Sequence, residues 1–222
     1  TAARAGKPGL FISRPDATLA DVNVPETQVS STSIEFTVRI LENGDAEITR
    51  TDFYSGIPFA DFHKRFAEMT PEKRDRYFQE LVSSIAQSAS PLSAFTTDYA
   101  SYPGRQSFTV SVPRFAVKDG RFMYFRLPGE DIVKSVLRFR ADKRDNPYYR
   151  SRDLVMDCSF KIELPSSAVD VKLMPSSVDW ESVSGSAFLK SRISPVRTES
   201  DGRKFLDIRT EVRFKTSTAS PI

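Results

Sequence analysis

Period-two alternation, punctuated by glycine-containing turns, is the feature that most limits what this chain can become. Over 154–163, Leu154, Met156, Cys158, Phe160 and Ile162 fall on one side, while Asp157, Ser159, Lys161 and Glu163 fall on the other. Ile34, Phe36, Val38 and Ile40 alternate in the same way with Glu35, Thr37 and Arg39. Such alternation specifies strands with one buried face and one wet face, the habit of antiparallel hairpins. Asn43-Gly44, Asp119-Gly120 and Asp201-Gly202 supply the tight turns, because these residue types tolerate positive φ. Phe108, Val110 and Val112 extend the pattern, as do Val169, Val171 and Leu173, then Ala187, Leu189 and Ile193, and finally Leu206, Ile208, Val212 and Phe214. The expected fold is mainly β, or α+β, with antiparallel sheets of β-sandwich-like character.

One stretch keeps a different period. After Gly56 and Pro58, residues Phe59, Phe62, Phe66 and Met69 recur at helical spacing. Thr70-Pro71 can cap and open a second helix, which carries Phe78, Leu81, Val82 and Ile85 on one face to about Ser88. A two-helix insertion at about residues 57–88 is expected to cover one side of a sheet.

The chain divides by composition into four parts. Residues 1–33 are linker-like, rich in proline and small polar residues, with one short apolar patch at Leu10-Phe11-Ile12. Residues 34–128 form a β-α-α-β region, 129–152 a basic connection, and 153–222 an antiparallel β region. Whether the two β regions pack as one domain is open at this level. At 222 residues the chain is long enough to bury a substantial core. The start, "TAARAGKPGLF", lacks an initiator Met and suggests a piece of a longer or processed polypeptide.

Composition narrows the chemistry. The net charge is +3, from 32 basic and 29 acidic residues, too small an excess to argue for nucleic acid. With one cysteine, Cys158, no disulfide can form within the chain and no multi-cysteine metal site can be built. No apolar run is long enough to span a membrane as a helix. No HExxH pair, EF-hand loop or glycine-rich phosphate loop occurs, so neither a metal nor a cofactor is expected.

Two residues could act as nucleophile or base. His63 is the only histidine, but Asp61 lies two positions away, the wrong spacing for one helix face. A surface or boundary role is expected for it. Cys158 sits mid-strand between Met156 and Phe160, whereas a reactive thiolate needs an exposed, electropositive setting. It is expected to be a small buried hydrophobe. Glu130-Asp131 follows Pro128-Gly129 and reads as a solvated turn. The stretch 134–152, "KSVLRFRADKRDNPYYRSR", carries seven basic and two acidic residues beside Tyr148 and Tyr149. Basic groups interleaved with aromatics can hold anionic polymers or stack on sugars. Tyr148, Tyr149, Arg150, Arg152 and Trp180 are therefore the candidate binding residues, with a solvated connection as the simpler reading of 134–152.

The order of these features resembles the region that follows the catalytic core in bacterial transglutaminase-like proteins with flanking β-sandwich domains. "GKPGLFISRPDATLADVNVPE" is similar to the exit from such a core. The strand pair around Gly44, the Tyr54-Ser55-Gly56 step and the basic helix follow in the family's order. "RDNPYYRSRDLVMDCSFKIELPSSAVDVKLMPSSVDWES" resembles its terminal β segment, with Leu164-Pro165 and Met174-Pro175 as the proline turns. The resemblance implies a non-catalytic accessory region, because the family's Cys-His-Asp set lies in the core and has no counterpart here. It also implies that the partner is the rest of a larger polypeptide, including an upstream core, and that the location is extracytoplasmic. Two rival expectations stand beside it: a free-standing module for carbohydrate or another cell-surface polymer, and a small enzyme in which His63 and Cys158 share a cleft.

Overall fold

The structure is a computed structural model that describes residues 8–10, 19–21, 30–129, 148–150, 153–168, 170–215 and 217–219. The strands are β1 (Pro8–Leu10), β2 (Leu19–Asp21), β3 (Ser31–Ile40) and β4 (Ala46–Ser55). The helices α1 (Ile57–Ala67) and α2 (Pro71–Ile85) follow. Next come β5 (Ser90–Pro91), β6 (Thr96–Asp98), β7 (Gly104–Val112), β8 (Ala116–Asp119) and β9 (Phe122–Phe125). The chain continues with β10 (Tyr148–Arg150), β11 (Leu154–Leu164), β12 (Val178–Glu181) and β13 (Ala187–Ile193). It ends with β14 (Arg197–Thr198), β15 (Lys204–Phe214) and β16 (Ser217–Ala219).

The protein is mainly β with two helices, as the alternation implies. Its centre is one ten-stranded sheet in the order β12-β13-β15-β11-β3-β4-β7-β5, with β14 added beside β15 and β6 beside β7. β1–β2, β8–β9 and β10–β16 form separate two-stranded sheets. All pairings in the large sheet are antiparallel except one. β3 and β11 run parallel, with Phe36 opposite Phe160, and this pairing joins residues 31–112 to residues 154–214 in one hydrogen-bonded surface. The two rings stack at 4.7 Å and 4°. Period-two patterning identifies strands but not their partners, so a parallel seam between strands more than a hundred residues apart has no signature in it.

The alternation fixes the two faces. Ile34, Phe36, Val38 and Ile40 are buried, and their neighbours Glu35, Thr37 and Arg39 are exposed. Registers carry this inner face across the sheet through Ile48, Val110, Ile162 and Leu206. The turn between β3 and β4 is closed by the Gly44 amide, which donates to the Leu41 carbonyl at 2.9 Å. Gly44 has φ 90°, and a Cβ there would lie 2.4 Å from the Ala116 carbonyl oxygen. That position needs glycine both for its backbone and for the approach of β8.

The helices begin where their sequence signals place them. Gly56, at φ 65°, turns the chain out of β4, and the Ile57 amide donates to the Ser30 hydroxyl at 3.1 Å. Thr70 caps α2, accepting the Lys73 amide at 3.4 Å, and Pro71 occupies the first turn. α2 ends at Ile85, and Ala86 is extended. Phe62 and Phe66 of α1, with Val82 and Ile85 of α2, are buried. Phe78 meets Phe108 of β7 edge-on at 5.6 Å. Gly104 lets α1 settle on β7, since a Cβ there would stand 2.7 Å from the Phe62 ring.

Two expectations are adjusted. Val171 and Leu173 are not in a strand, and Leu173 is 89% exposed. The slot beside β13 is filled instead by Val178–Glu181, beyond Pro175. Of the apolar patch at 10–12, only Leu10 belongs to a described strand, and Phe11 and Ile12 lie outside the described residues. Most of the basic connection, and Glu130-Asp131, lie outside them too.

Candidate functional site

The strand β4 breaks its own pattern. Its inward positions run Ala46, Ile48, Arg50, Asp52, so the apolar series ends in a cation and an anion on the buried face. A lone charge there would be expelled or neutralised, so each must find partners within the protein. The Arg50 guanidinium donates to both Asp52 carboxylate oxygens, at 2.8 Å from Nε to Oδ1 and 3.0 Å from Nη2 to Oδ2. Gln106, opposite Asp52 on β7, donates its amide to Oδ2 at 2.5 Å. Tyr54 donates to the same oxygen at 3.3 Å. Tyr77 reaches down from α2 and donates to Gln106 Oε1 at 3.2 Å. Arg50 Nη1 completes the link to α2 at the Ser84 hydroxyl, 3.4 Å away.

Asp52 and Gln106 are each 1% exposed. Burial works against the charge on Arg50, but Asp52 more than offsets it and the guanidinium is held above its ordinary value. Burial, then the Asp52 carboxylate, pushes the Tyr54 phenol far up, which keeps it a donor. The cluster is a closed circuit: each carboxylate oxygen of Asp52 already accepts a charge-assisted bond. Its chemistry is that of a bolt between α2 and the sheet. It also marks what the sequence reading overlooked, whose signal was two charges at i and i+2 in the apolar phase of a strand.

Cys158 lies on the same inner face, beside Ile34, and is buried. Burial pushes its thiol up to about 12, the opposite of what a nucleophile needs. His63 is exposed on α1, with Nδ1 2.8 Å from the Tyr99 carbonyl, so that bond uses the Nδ1 proton. Its ring neighbours are Phe59 at 6.0 Å and Tyr99 at 6.1 Å. The surroundings of His63 are thus Phe59 and Tyr99, and those of Cys158 are the sheet's apolar face.

The other candidates are dispersed over two sheets. Tyr148, Tyr149 and Arg150 form β10, paired with β16 in a two-stranded sheet. Their side chains, and Arg152 entirely, lie outside the described residues. Trp180 is on β12, the edge of the ten-stranded sheet, opposite Leu189 and 50% exposed. Among the described residues, no group of three or more His, Cys, Asp or Glu is placed to hold a metal ion. Among the same residues, no helix is long and apolar enough to cross a membrane.

The face opposite the helices is uncovered by any described helix and strongly polar. Where β4 meets β7, hydroxyls pair across strands: Thr49 with Thr109 and Thr51 with Ser107, each at 2.9 Å. Around β14 and the turn from it into β15, charges replace hydroxyls. Arg203 contacts Asp201 at 2.7 Å, Glu199 at 3.4 Å and Glu163 at 3.7 Å, while Arg197 contacts Glu199 at 2.7 Å and Asp207 at 2.9 Å. Phe205, on this polar face, is only 3% exposed because Lys161, Arg197 and Arg203 roof its ring at 4.7, 4.9 and 5.3 Å. No family model, curated protein or solved structure matches this chain.

At one end of the sheet, a turn following β11 is tied to the β3–β4 turn. Glu42 accepts the Ser166 hydroxyl at 2.7 Å, the Ser167 amide at 3.1 Å and the Ser167 hydroxyl at 2.5 Å. The Ser166 hydroxyl first, then Ser167, holds the Glu42 carboxyl down at about 2. Lys118 of β8 donates to the Glu42 carbonyl, so three segments meet there.

Proposed function

We propose that this chain is a non-catalytic, β-rich accessory region of a larger exported transglutaminase-like polypeptide, and that it acts through its uncovered sheet face. The observation that carries this reading is the unequal treatment of the two faces. One is packed by α1, α2 and the inner side of the β8–β9 hairpin. The other spreads ordered hydroxyl and ion-pair rows across many strands, the polar composition typical of interfaces between domains of one chain. The two candidate reactive residues support the same reading: Cys158 is a buried, strongly protonated thiol, and His63 is engaged with the Tyr99 carbonyl.

The test is to read the gene upstream of the Thr1 codon and, where a core with separated Cys, His and Asp is encoded, to express it apart from this chain. The two pieces are expected to associate on mixing, and Thr49→Arg with Ser159→Arg on the uncovered face to abolish association. Failure of the pieces to associate, or the absence of such a core, overturns the reading.

Trp180 favours a second reading, a carbohydrate or cell-surface polymer module, because its ring is half exposed on an edge strand. As the sole tryptophan it reports directly: a glycan that shifts its fluorescence supports that reading, and an unchanged spectrum across a glycan panel opposes it.

A further inference from the structure

The β8–β9 hairpin carries apolar side chains on both faces, with Lys118 opposite Met123 on the inner one and Asp119 opposite Phe122 on the outer one. Its inner face carries Ala116, Met123 and Phe125, which pack on the core. Its outer face carries Val117 and Tyr124, which are cross-strand partners, and beside Tyr124 the residue Phe122, whose own partner is Asp119 at the turn. These three are exposed by 61%, 53% and 42% for Val117, Tyr124 and Phe122. Single exposed apolar residues are ordinary, but three adjoining ones on a hairpin of two four-residue strands form a patch that calls for an occupant. At the tip of the hairpin a Cβ built at Gly120 has nothing within 4 Å, while Lys118 ties the strand below it to the Glu42 carbonyl.

Charge narrows the occupant. Residues 114–126 hold Arg114, Lys118, Arg121 and Arg126 against Asp119 alone; all five are exposed, though Lys118 is engaged by the Glu42 carbonyl on the inner side. Aromatic rings ringed by arginine and lysine are the composition that settles at a bilayer interface, with rings at headgroup depth and cations on anionic phosphates. A sugar platform is less well served. The Phe122 and Tyr124 rings are inclined by 33° with centroids 6.4 Å apart, and the Arg121 guanidinium already lies over Phe122 at 5.3 Å.

We propose that the β8–β9 hairpin is a membrane-surface anchor that lays Val117, Phe122 and Tyr124 into an anionic bilayer while Arg121 and its neighbours engage lipid phosphates. The anchor lies on the membrane rather than crossing it, and it does not depend on the accessory-region reading.

The experiment is sedimentation of the full chain with phosphatidylcholine–phosphatidylglycerol vesicles and with pure phosphatidylcholine vesicles. The chain is expected to pellet with the anionic vesicles, and Phe122→Ser with Tyr124→Ser to weaken partitioning by at least about tenfold, two ring insertions being lost. Arg121→Glu is expected to weaken binding further at low salt than at high salt. Both variants alter exposed side chains, and an unchanged melting temperature verifies that they fold. The proposal is overturned if wild-type protein stays in the supernatant. It is equally overturned if the double variant pellets as wild type does, which would place the binding in the basic 134–152 stretch. Retention on a soluble polyanion without vesicle binding also overturns it.

Discussion

Arginine meets carboxylate in two regions of this sheet, with similar geometry and opposite surroundings. On the inner face, Arg50 grips Asp52 at 2.8 Å under α2, with side chains 12% and 1% exposed. On the outer face, Arg203 grips Asp201 at 2.7 Å, with side chains 51% and 49% exposed. Short distances alone would rank them equal. Burial separates them, because water screens the outer pair and competes for both partners, whereas the inner pair has only protein to satisfy it. The inner cluster therefore holds an architecture together, and the outer one leaves a surface charged yet ordered.

The inner face can be broken most severely through its aromatic cover. Phe62 is 2% exposed, stacks on Tyr54 at 4.5 Å and meets Phe66 at 4.7 Å. Phe62→Asp replaces that contact with a carboxylate directly above the polar bolt. The expected loss exceeds about 4 kcal/mol, enough to remove cooperative unfolding in urea. A normal transition midpoint would show that α1 does not seal the sheet.

Asp52→Ala comes next. It strands the Arg50 guanidinium and the Gln106 amide in the interior, at a cost of about 3–5 kcal/mol by urea denaturation. Arg50→Met with Asp52→Leu is the sharpening experiment. It removes both charges and should recover most of the loss, since buried pairs contribute little net stability over well-packed apolar residues. A double variant as unstable as Asp52→Ala would mean that the remaining cluster, not the pair, carries the cost.

Much of this was written in the sequence, and the missing parts have a physical reason. Alternation located β3, β7, β11, β13 and β15, the Asn43-Gly44 turn implied β4 as the partner of β3, and the Gly56, Pro58 and Thr70-Pro71 signals located both helices. These are local signals, set by φ preference and by which face is wet. The β3–β11 seam and the Arg50–Asp52–Gln106–Tyr77 circuit are not local. Asp52 and Gln106 are 54 positions apart and become partners only once β4 and β7 are in register. The hairpin at 116–125 was legible as a turn, but its exposed outer face depends on what packs beneath it. Val171 and Leu173 alternate, but the place beside β13 is taken by Val178–Glu181.

A milder probe sits on the outer face at Thr51, which is 9% exposed yet on the polar side. Thr51→Val keeps the β-branched shape and removes the hydroxyl bonded to Ser107. The expected loss is about 1 kcal/mol in urea unfolding, with the sheet otherwise intact. A loss as large as that of Asp52→Ala would overturn the ranking of the two faces.

Glu42 tests the comparison through pH. Its carboxyl is depressed in the folded state from the ordinary 4.5 to about 2, so its contribution is fully present above about 4.5 and fades as pH falls to about 2. Glu42→Gln should lower the melting temperature near neutrality, and the gap from wild type should close over that acid window. A gap that stays constant down to the lower end would mean that the Ser166 and Ser167 bonds do not depend on the charge. The effect should be small, because the carboxylate is open to water.

Arg203→Ala should have the least effect. The guanidinium touches Asp201, Glu199 and Glu163, and its plane lies over Phe205 at 5.3 Å. The ion pairs are exposed, so their removal should scarcely move the melting temperature at physiological salt. What remains is the roof over Phe205, which Lys161 and Arg197 still cover. The informative readout is therefore the salt dependence of the small change. If the loss vanishes in high salt, Arg203 acts by charge; if it persists, the stem shields the ring from water. A loss approaching that of Asp52→Ala would instead place Arg203 in a desolvated cluster, and the contrast between the two faces would fail at its outer member.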